Sequence, residues 1–214
     1  MSTPLVVIGA GGFGRETLDV VEAINRASHP PVFNLLGVVD GNPSKQNRDR
    51  LDARGIAFLG SDVEWLKARH PAQYLVGIGH PLTRERVDRA WRSAGLAAAT
   101  AVHPLAVVGS SCRIGEGSVV CAGASLSTNV TLGRHVHVNP SATIGHDSVL
   151  GDYVSLNPSA TVSGDVMVGR VALIGASSVV LQGLRVGEGA IVGASACVVR
   201  DVPPGLTVKG VPAR

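Results

Sequence analysis

From Val102 through Val198 an aliphatic side chain returns every sixth position without a slip, and all seventeen members of the series are Val, Ile or Leu. Four residues after each stands a second inward candidate, such as Ala106, Ser118, Val130, Ala142 or Val154, and only Leu184 in that set is larger than Val. A period of six excludes an α-helix, whose apolar stripe recurs every ~3.6 residues. It also differs from a hairpin array, where alternation resets at each turn. Six residues suit a short strand plus a bend. Three such units close a triangular coil of about eighteen residues with aliphatic side chains stacked inside. Residues 101–214 therefore read as a left-handed parallel β-helix of hexapeptide repeats.

Residues 1–100 follow other periods. Pro4–Ile8 reads as a short apolar strand, followed by a glycine-rich turn over 9–14 and a helix over Arg15–Ala27. Leu18, Val21 and Ile24 lie at helical spacing in that segment. Asn34–Val39 reads as a second strand ending at Asp40, and the polar stretch from there to Arg54 as a loop. A third strand is predicted over Gly55–Leu59, a helix over Asp62–Arg69 capped by Ser61, a strand over Tyr74–Ile78 and a helix over Leu82–Ala94. This alternation implies a small Rossmann-like parallel α/β sheet.

Composition supports the division. Glycine numbers 27 and aromatics reach only 3 %, which suits a turn-rich backbone packed with small aliphatic side chains. The net charge of +3 is spread along the chain, without the basic cluster and interleaved aromatics of a nucleic-acid protein, so no nucleic acid is expected. A mildly basic surface favours anionic small molecules such as nucleotide diphosphates and coenzyme A. Cys112, Cys121 and Cys197 form no CxxC pair and read as reduced, buried thiols. No apolar run approaches the ~18 residues of a membrane helix, and a soluble, cytoplasmic protein is expected.

Two places carry chemistry. Gly9, Gly11 and Gly14, with Gly12 between them, follow a strand and open a helix, where backbone N–H groups meet phosphate. Asp40 at the next strand end offers an acceptor to a ribose or a base. The alternative is that these glycines only permit a tight turn. Gly79 and His80 form a second strand-to-helix junction of the same kind. In the repeats, His146 stands two positions after inward Ile144 and so faces outward, with Asp147 beside it. An imidazole titrating near neutrality suits a general base oriented by a carboxylate; a solvated surface pair is the other reading. The spacing of His103, His135, His137 and His146 matches no zinc pattern, and no metal is expected.

Taken together, the Gly9–Gly14 loop, Asp40, Gly77-Ile78-Gly79 and Val102-His103-Pro104 are one part of a longer pattern. Asn139 seven residues before His146, the Gly145-His146-Asp147 step and the terminal Lys209–Arg214 complete it. Across its length the chain resembles the bacterial sialic acid O-acetyltransferase and UDP-4-amino-sugar N-acetyltransferase family of hexapeptide-repeat sugar acyltransferases. The resemblance implies that the N-terminal domain binds a nucleotide-sugar through the glycine loop and Asp40. It implies His146 as general base, Asp147 as its acidic partner and Asn139 nearby. It also implies a homotrimer with acetyl-CoA lying along the β-helix between subunits, near Ser155, Gly164, Ala176, Gly193 and Ala194. One departure stands out: the N-acetyltransferases often carry a second histidine nine residues after the first, where this chain has Ser155. His137 lies one eighteen-residue coil away from Ser155 and offers a replacement imidazole.

The expected reaction is acetyl transfer from acetyl-CoA to a nucleotide-linked 4-amino-sugar. O-acetylation of a sialic acid or related sugar hydroxyl stays open as an alternative, as does a non-catalytic scaffold that senses a nucleotide.

Overall fold

A computed structural model describes residues 2–214, which fall into two compact units, residues 2–104 and 105–214. In the first, β1 (Thr3–Ile8) lies between β2 (Phe33–Val39) and β3 (Gln73–Val76), all parallel. The helices are α1 (Gly12–Ala27), α2 (Lys45–Asp52), α3 (Asp62–Ala68) and α4 (Pro81–Ser93). Buried Leu5, Val6, Val7 and Ile8 give β1 the continuous apolar run of a central parallel strand. Trp65, Tyr74 and Trp91 fill the space beside it.

Two predicted elements of this unit are corrected. Gly55–Leu59 is not a strand but a single bridge, Phe58 to Val38. The loop expected before Arg54 holds α2, whose mostly exposed, polar sequence has no apolar stripe to reveal it. The signal present is its cap, Ser44, whose hydroxyl accepts from the Asn47 N–H. Ser61 caps α3 as expected and forms a full capping box with Glu64.

The second unit is a left-handed parallel β-helix with three walls of two-residue strands. The first wall stacks 107–108, 125–126, 143–144, 161–162, 179–180 and 197–198. The second stacks 113–114, 131–132, 149–150, 167–168 and 185–186. The third includes 119–120, 137–138, 155–156, 173–174, 191–192 and 207–208. Pairing advances by eighteen residues per coil, as in Thr143 against Thr161 and His137 against Ser155. Leu126, Ile144, Leu156 and Ile174 are buried inside, alternating with the buried small side chains Ala124, Ala142 and Ala160.

The corners follow the same period. One residue in each bend has φ between 50° and 78°, from Ser111 and Gly117 through Asn129, Asp147 and Asp165 to Ser195. Asn, Asp and Gly take this left-handed conformation at least cost, which accounts for their recurrence there. The eighteen-residue step fails only at the last coil, where Val202 pairs with Val186 and Thr207 with Ile191, each sixteen residues on. Pro203 and Pro204, without N–H groups, follow that bridge, and pairing resumes at Thr207 and Val208. The expectation of uniformly buried thiols is also corrected: Cys121 is buried, whereas Cys112 and Cys197 are half-buried.

Candidate active site

The corner between the first and second walls is built from turns stacked directly over one another. Asp147 N–H donates to the Thr128 carbonyl one coil before, and Asp165 N–H donates to the His146 carbonyl one coil after. That ladder puts Thr128, His146 and Gly164 in one column, and Asn129, Asp147 and Asp165 in the next. His146 Nδ1 lies 2.7 Å from Asp147 Oδ2. Asp147 Oδ1 accepts from Asn129 Nδ2 at 2.7 Å. Both side chains are open to solvent.

The Asn129 amide and then the imidazole, each bonded to the carboxylate, hold Asp147 below its usual range. An ionised Asp147 can only accept, so His146 Nδ1 must carry a hydrogen. The lone pair of the neutral ring then sits on Nε2. Gly164 makes room for that nitrogen. A Cβ at position 164 would come within 2.6 Å of both Cε1 and Nε2 of His146. Gly145 is required as well, since its Cβ would meet the Gly164 N at 2.5 Å.

His146, Asp147 and Asp165 each offer a ligand-type atom within 4.8 Å of the others, all exposed. They form one imidazole and two carboxylates on an open corner. His135 is used differently. It is buried, its ring stacks on Tyr153 with centroids 5.7 Å apart, and Gly117 leaves the space it fills.

The remaining expected residues of the β-helix lie elsewhere in the single chain. Asn139 is mostly buried at the corner after the third wall, where its Nδ2 donates to the Leu156 carbonyl at 2.6 Å. Ala176, Gly193 and Ala194 share that corner. It and the His146 corner flank the first wall, so both border one face of the prism. Ser155 and His137 are register partners on the third wall and both are buried. Of the expected coenzyme residues, only Gly164 stands at the His146 corner.

In the N-terminal unit the four glycines divide into two pairs. A Cβ on Gly14 would lie 1.8 Å from the Gly9 carbonyl oxygen, and Gly9 itself has φ +107°. Both are demanded by the close packing of α1 on the end of β1. Gly11 and Gly12 meet nothing within 4 Å, so packing does not demand them. They leave open the start of α1, which has no side-chain cap and no acidic residue in its first turn. A helix start with neither suits a phosphate.

Asp40 pins this loop: Oδ2 accepts from Ala10 N at 2.8 Å and Oδ1 from Asn42 N at 2.9 Å. Arg15 braces it too, donating to the Ala10 carbonyl and to Asn47. At the second junction His80 caps α4 and Gly79 is open on its Cβ side. Arg84, fully buried, donates to the Ile78 and Gly79 carbonyls. Sequence reasoning missed Asn129, Arg15 and Arg84. For Asn129 a signal existed, since it stands eighteen residues before Asp147.

No helix among the described residues is long and apolar enough to cross a membrane. Residues 4–90 match the PglD N-terminal domain family. The chain is 33% identical over 134 residues to the GDP-perosamine N-acetyltransferase of Escherichia coli O157:H7, a match covering 62% of this chain and 58% of that protein. The acetyltransferase domain of PglB from Neisseria gonorrhoeae FA1090 superposes with a TM-score of 0.87 at 30% identity, over 100% of this chain and 99% of that one. PerB from Caulobacter crescentus, solved with CoA and GDP-perosamine, gives 0.87 at 30% identity, over 99% of this chain and 96% of that one. With 30% identity to two structures over nearly their whole lengths, and the same succession of domains, this chain belongs to the hexapeptide-repeat sugar acyltransferase family.

Proposed function

We propose that the protein transfers the acetyl group of acetyl-CoA to the amino group of a nucleotide-linked 4-amino-sugar, with His146 as general base and Asp147 as its partner. The observation that carries this reading is the pair itself. Asp147 takes the Nδ1 hydrogen, and Nε2 faces out over the side-chain-free Gly164. The amine nitrogen attacks the thioester carbonyl carbon as Nε2 removes its proton. The C–S bond then breaks, and the proton passes to the leaving CoA sulfur. Asp147 stabilises the imidazolium in between. Much of the acceleration comes from holding two bound substrates together.

The glycine loop and the open start of α1 supply an anion site for the nucleotide diphosphate, with Asp40 and Arg15 holding the loop in shape. Gly79 and His80 belong to the same nucleotide-sugar site of the N-terminal unit, and Asn139 is assigned to the acceptor on the β-helix. Gly164, Ala176, Gly193 and Ala194 border the face assigned to acetyl-CoA, whereas Ser155, buried on the third wall, lies off that face. Support comes from PerB, whose complex contains CoA and GDP-perosamine. Histidine-to-asparagine and histidine-to-alanine variants of that Caulobacter enzyme were also solved with both ligands.

The reading includes a homotrimer in the cytoplasm. The second wall, which begins just after the His146 turn, shows Val149 and Met167 to solvent. Apolar side chains on an open prism wall fit burial by another subunit beside the site. Light scattering checks the trimer directly.

The test is CoA thiol release from acetyl-CoA with a panel of nucleotide-linked 4-amino-sugars and free sialic acids. Release with an amino-sugar nucleotide, lost in His146→Ala, is the expected result. Release only with hydroxyl sugars moves the chemistry to O-acetylation, and silence across the panel overturns an enzymatic role.

A further inference from the structure

At the His146 corner the reaction scheme leaves Asn129 without a role. Asn129 stands one coil before Asp147 in the same left-handed bend, with φ 60° against 63° for Asp147. Its amide donates to Asp147 Oδ1 at 2.7 Å, while Oδ2 faces His146 Nδ1 at 2.7 Å. With both oxygens engaged on opposite sides, the carboxylate cannot rotate about its Cβ–Cγ bond without breaking one of the two contacts. Beneath it, the stacked hydroxyls of Ser110 and Thr128 lie 2.9 Å apart, continuing the polar ladder toward the start of the helix. On the far side stands Asp165, close enough to His146 and Asp147 for all three to fall within 4.8 Å.

Asp165 is a second carboxylate beside the pair. A carboxylate this near offers the imidazole another acceptor should the Asp147 side chain turn away. Asn129 is the neutral donor that opposes this from the other face. It holds Asp147 in the orientation that meets Nδ1. The two stacks running through the corner contribute Ser110, Thr128, His146, Gly164 and Gln182, and Ser111, Asn129, Asp147, Asp165 and Gly183. Within one coil of the pair on either side, the ionisable side chains of these stacks are His146, Asp147 and Asp165.

We infer that Asn129 is a positioning residue for acyl transfer, acting through Asp147 to hold the His146 imidazole with Nε2 toward the substrates. This rests on the reading of His146 as general base. The claim concerns geometry, since Asn129 touches neither substrate in this scheme. It also explains why an amide suits the position. Asparagine tolerates the left-handed bend and donates without adding charge. Aspartate would tolerate the same bend, but it would add a third carboxylate to the stack.

The experiment is a double-mutant cycle on CoA thiol release with acetyl-CoA and the amino-sugar nucleotide that proves active. Asn129→Gly removes the donor and keeps a residue suited to φ 60°, so the fold is preserved. A thermal midpoint within about 3 °C of the parent confirms this. The expected result is a kcat about 10-fold lower, with KM for acetyl-CoA little changed, as for loss of a partner that orients a working group. In a His146→Ala background, Asn129→Gly should then have no further effect, because the group it positions is gone.

Asn129→Asp gives a readout that a structural role would not move. The added carboxylate should shift the acidic limb of the kcat/KM profile to higher pH, whereas Asn129→Gly should lower the plateau. Equal effects of Asn129→Gly in both backgrounds, or an unchanged kcat in the parent, overturn the inference while His146 keeps its role. Full activity of His146→Ala would instead overturn the underlying reading.

Discussion

The two units of this chain solve the problem of placing polar groups in opposite ways. In the N-terminal unit the loop at Gly9–Gly14 is shaped by distant residues. Asp40 from the end of β2 takes the Ala10 N–H, and Gly77 after β3 lies against Gly14, where its Cβ would be 2.5 Å from Gly14 Cα. Its form depends on three strands meeting at one edge. In the β-helix, the groups around His146 are brought together by repetition alone. Residues eighteen apart stack, so Asn129, Asp147 and Asp165 meet because the chain comes round to the same corner. A loop built by convergence depends on the glycines where its elements meet, Gly9, Gly14 and Gly77. A site built by stacking depends on the period, and then on single side chains free to vary within it.

The sharpest separation of the two mechanisms is His146→Ala. It should lower turnover by about 100-fold or more, in line with loss of a general base, while the melting profile stays unchanged. The side chain is exposed and its removal opens no cavity. Circular dichroism alongside thiol release checks both halves of that expectation, and near-normal turnover would sink the assignment.

Gly14→Ala should do the reverse. With a Cβ 1.8 Å from the Gly9 carbonyl oxygen, α1 must move off the strand end. Overpacking of this kind costs about 1–3 kcal/mol, and a drop of about 5 °C in the midpoint is expected. Calorimetry should show the loss, and an unperturbed midpoint would mean that the loop yields more easily than its packing implies.

Gly164→Ala brings a steric change into the stacked site. The new methyl group displaces the His146 ring edge, and kcat should fall about 10-fold with stability nearly kept. If KM for acetyl-CoA rises instead and kcat holds, Gly164 serves the coenzyme more than the imidazole.

The smallest effect belongs to Ser61→Ala, which removes the cap of α3 and should lower the midpoint by about 2 °C. Hydrogen bonds from the Ser61 backbone and then its hydroxyl hold Glu64 below the ordinary glutamate value of 4.5. A carboxyl whose folded value is depressed stabilises the fold above its unfolded value. That contribution is lost as pH falls through the folded one. The difference between parent and Ser61→Ala should therefore narrow below about pH 4.5. A gap independent of pH would show that the Ser61 hydroxyl takes no part in holding Glu64, since the backbone N–H of residue 61 survives the substitution.

Legibility in the sequence followed the same division. The coil register was readable because one aliphatic position per six residues recurs without interruption, and stacking by eighteen follows from three walls. His146 was readable because its offset from Ile144 sends it outward. The last coil was not, since a two-residue shortening at Val202 leaves no mark on an aliphatic series that ends at Val198. Helix α2 was missed because its stability owes little to an apolar face. Asn139 illustrates a different difficulty. Seven residues separate it from His146, just over one hexapeptide, and the intervening wall carries it to another corner of the prism.

The order of apolar and polar residues was enough to determine two units, a parallel α/β sheet and a β-helix of fixed period. Burial of aliphatic side chains dominates folding, and its periodicity survives in one dimension. Only the tertiary structure decided that Asp40 is engaged with the backbone of its own loop, that Arg84 is buried beneath Ile78 and Gly79, and that Asn129 grips Asp147. Hydrogen bonds and close packing act over a few ångströms. Their partners in this chain lie 18 residues apart along the chain for Asn129 and 30 for Asp40, and the folded backbone supplies that proximity.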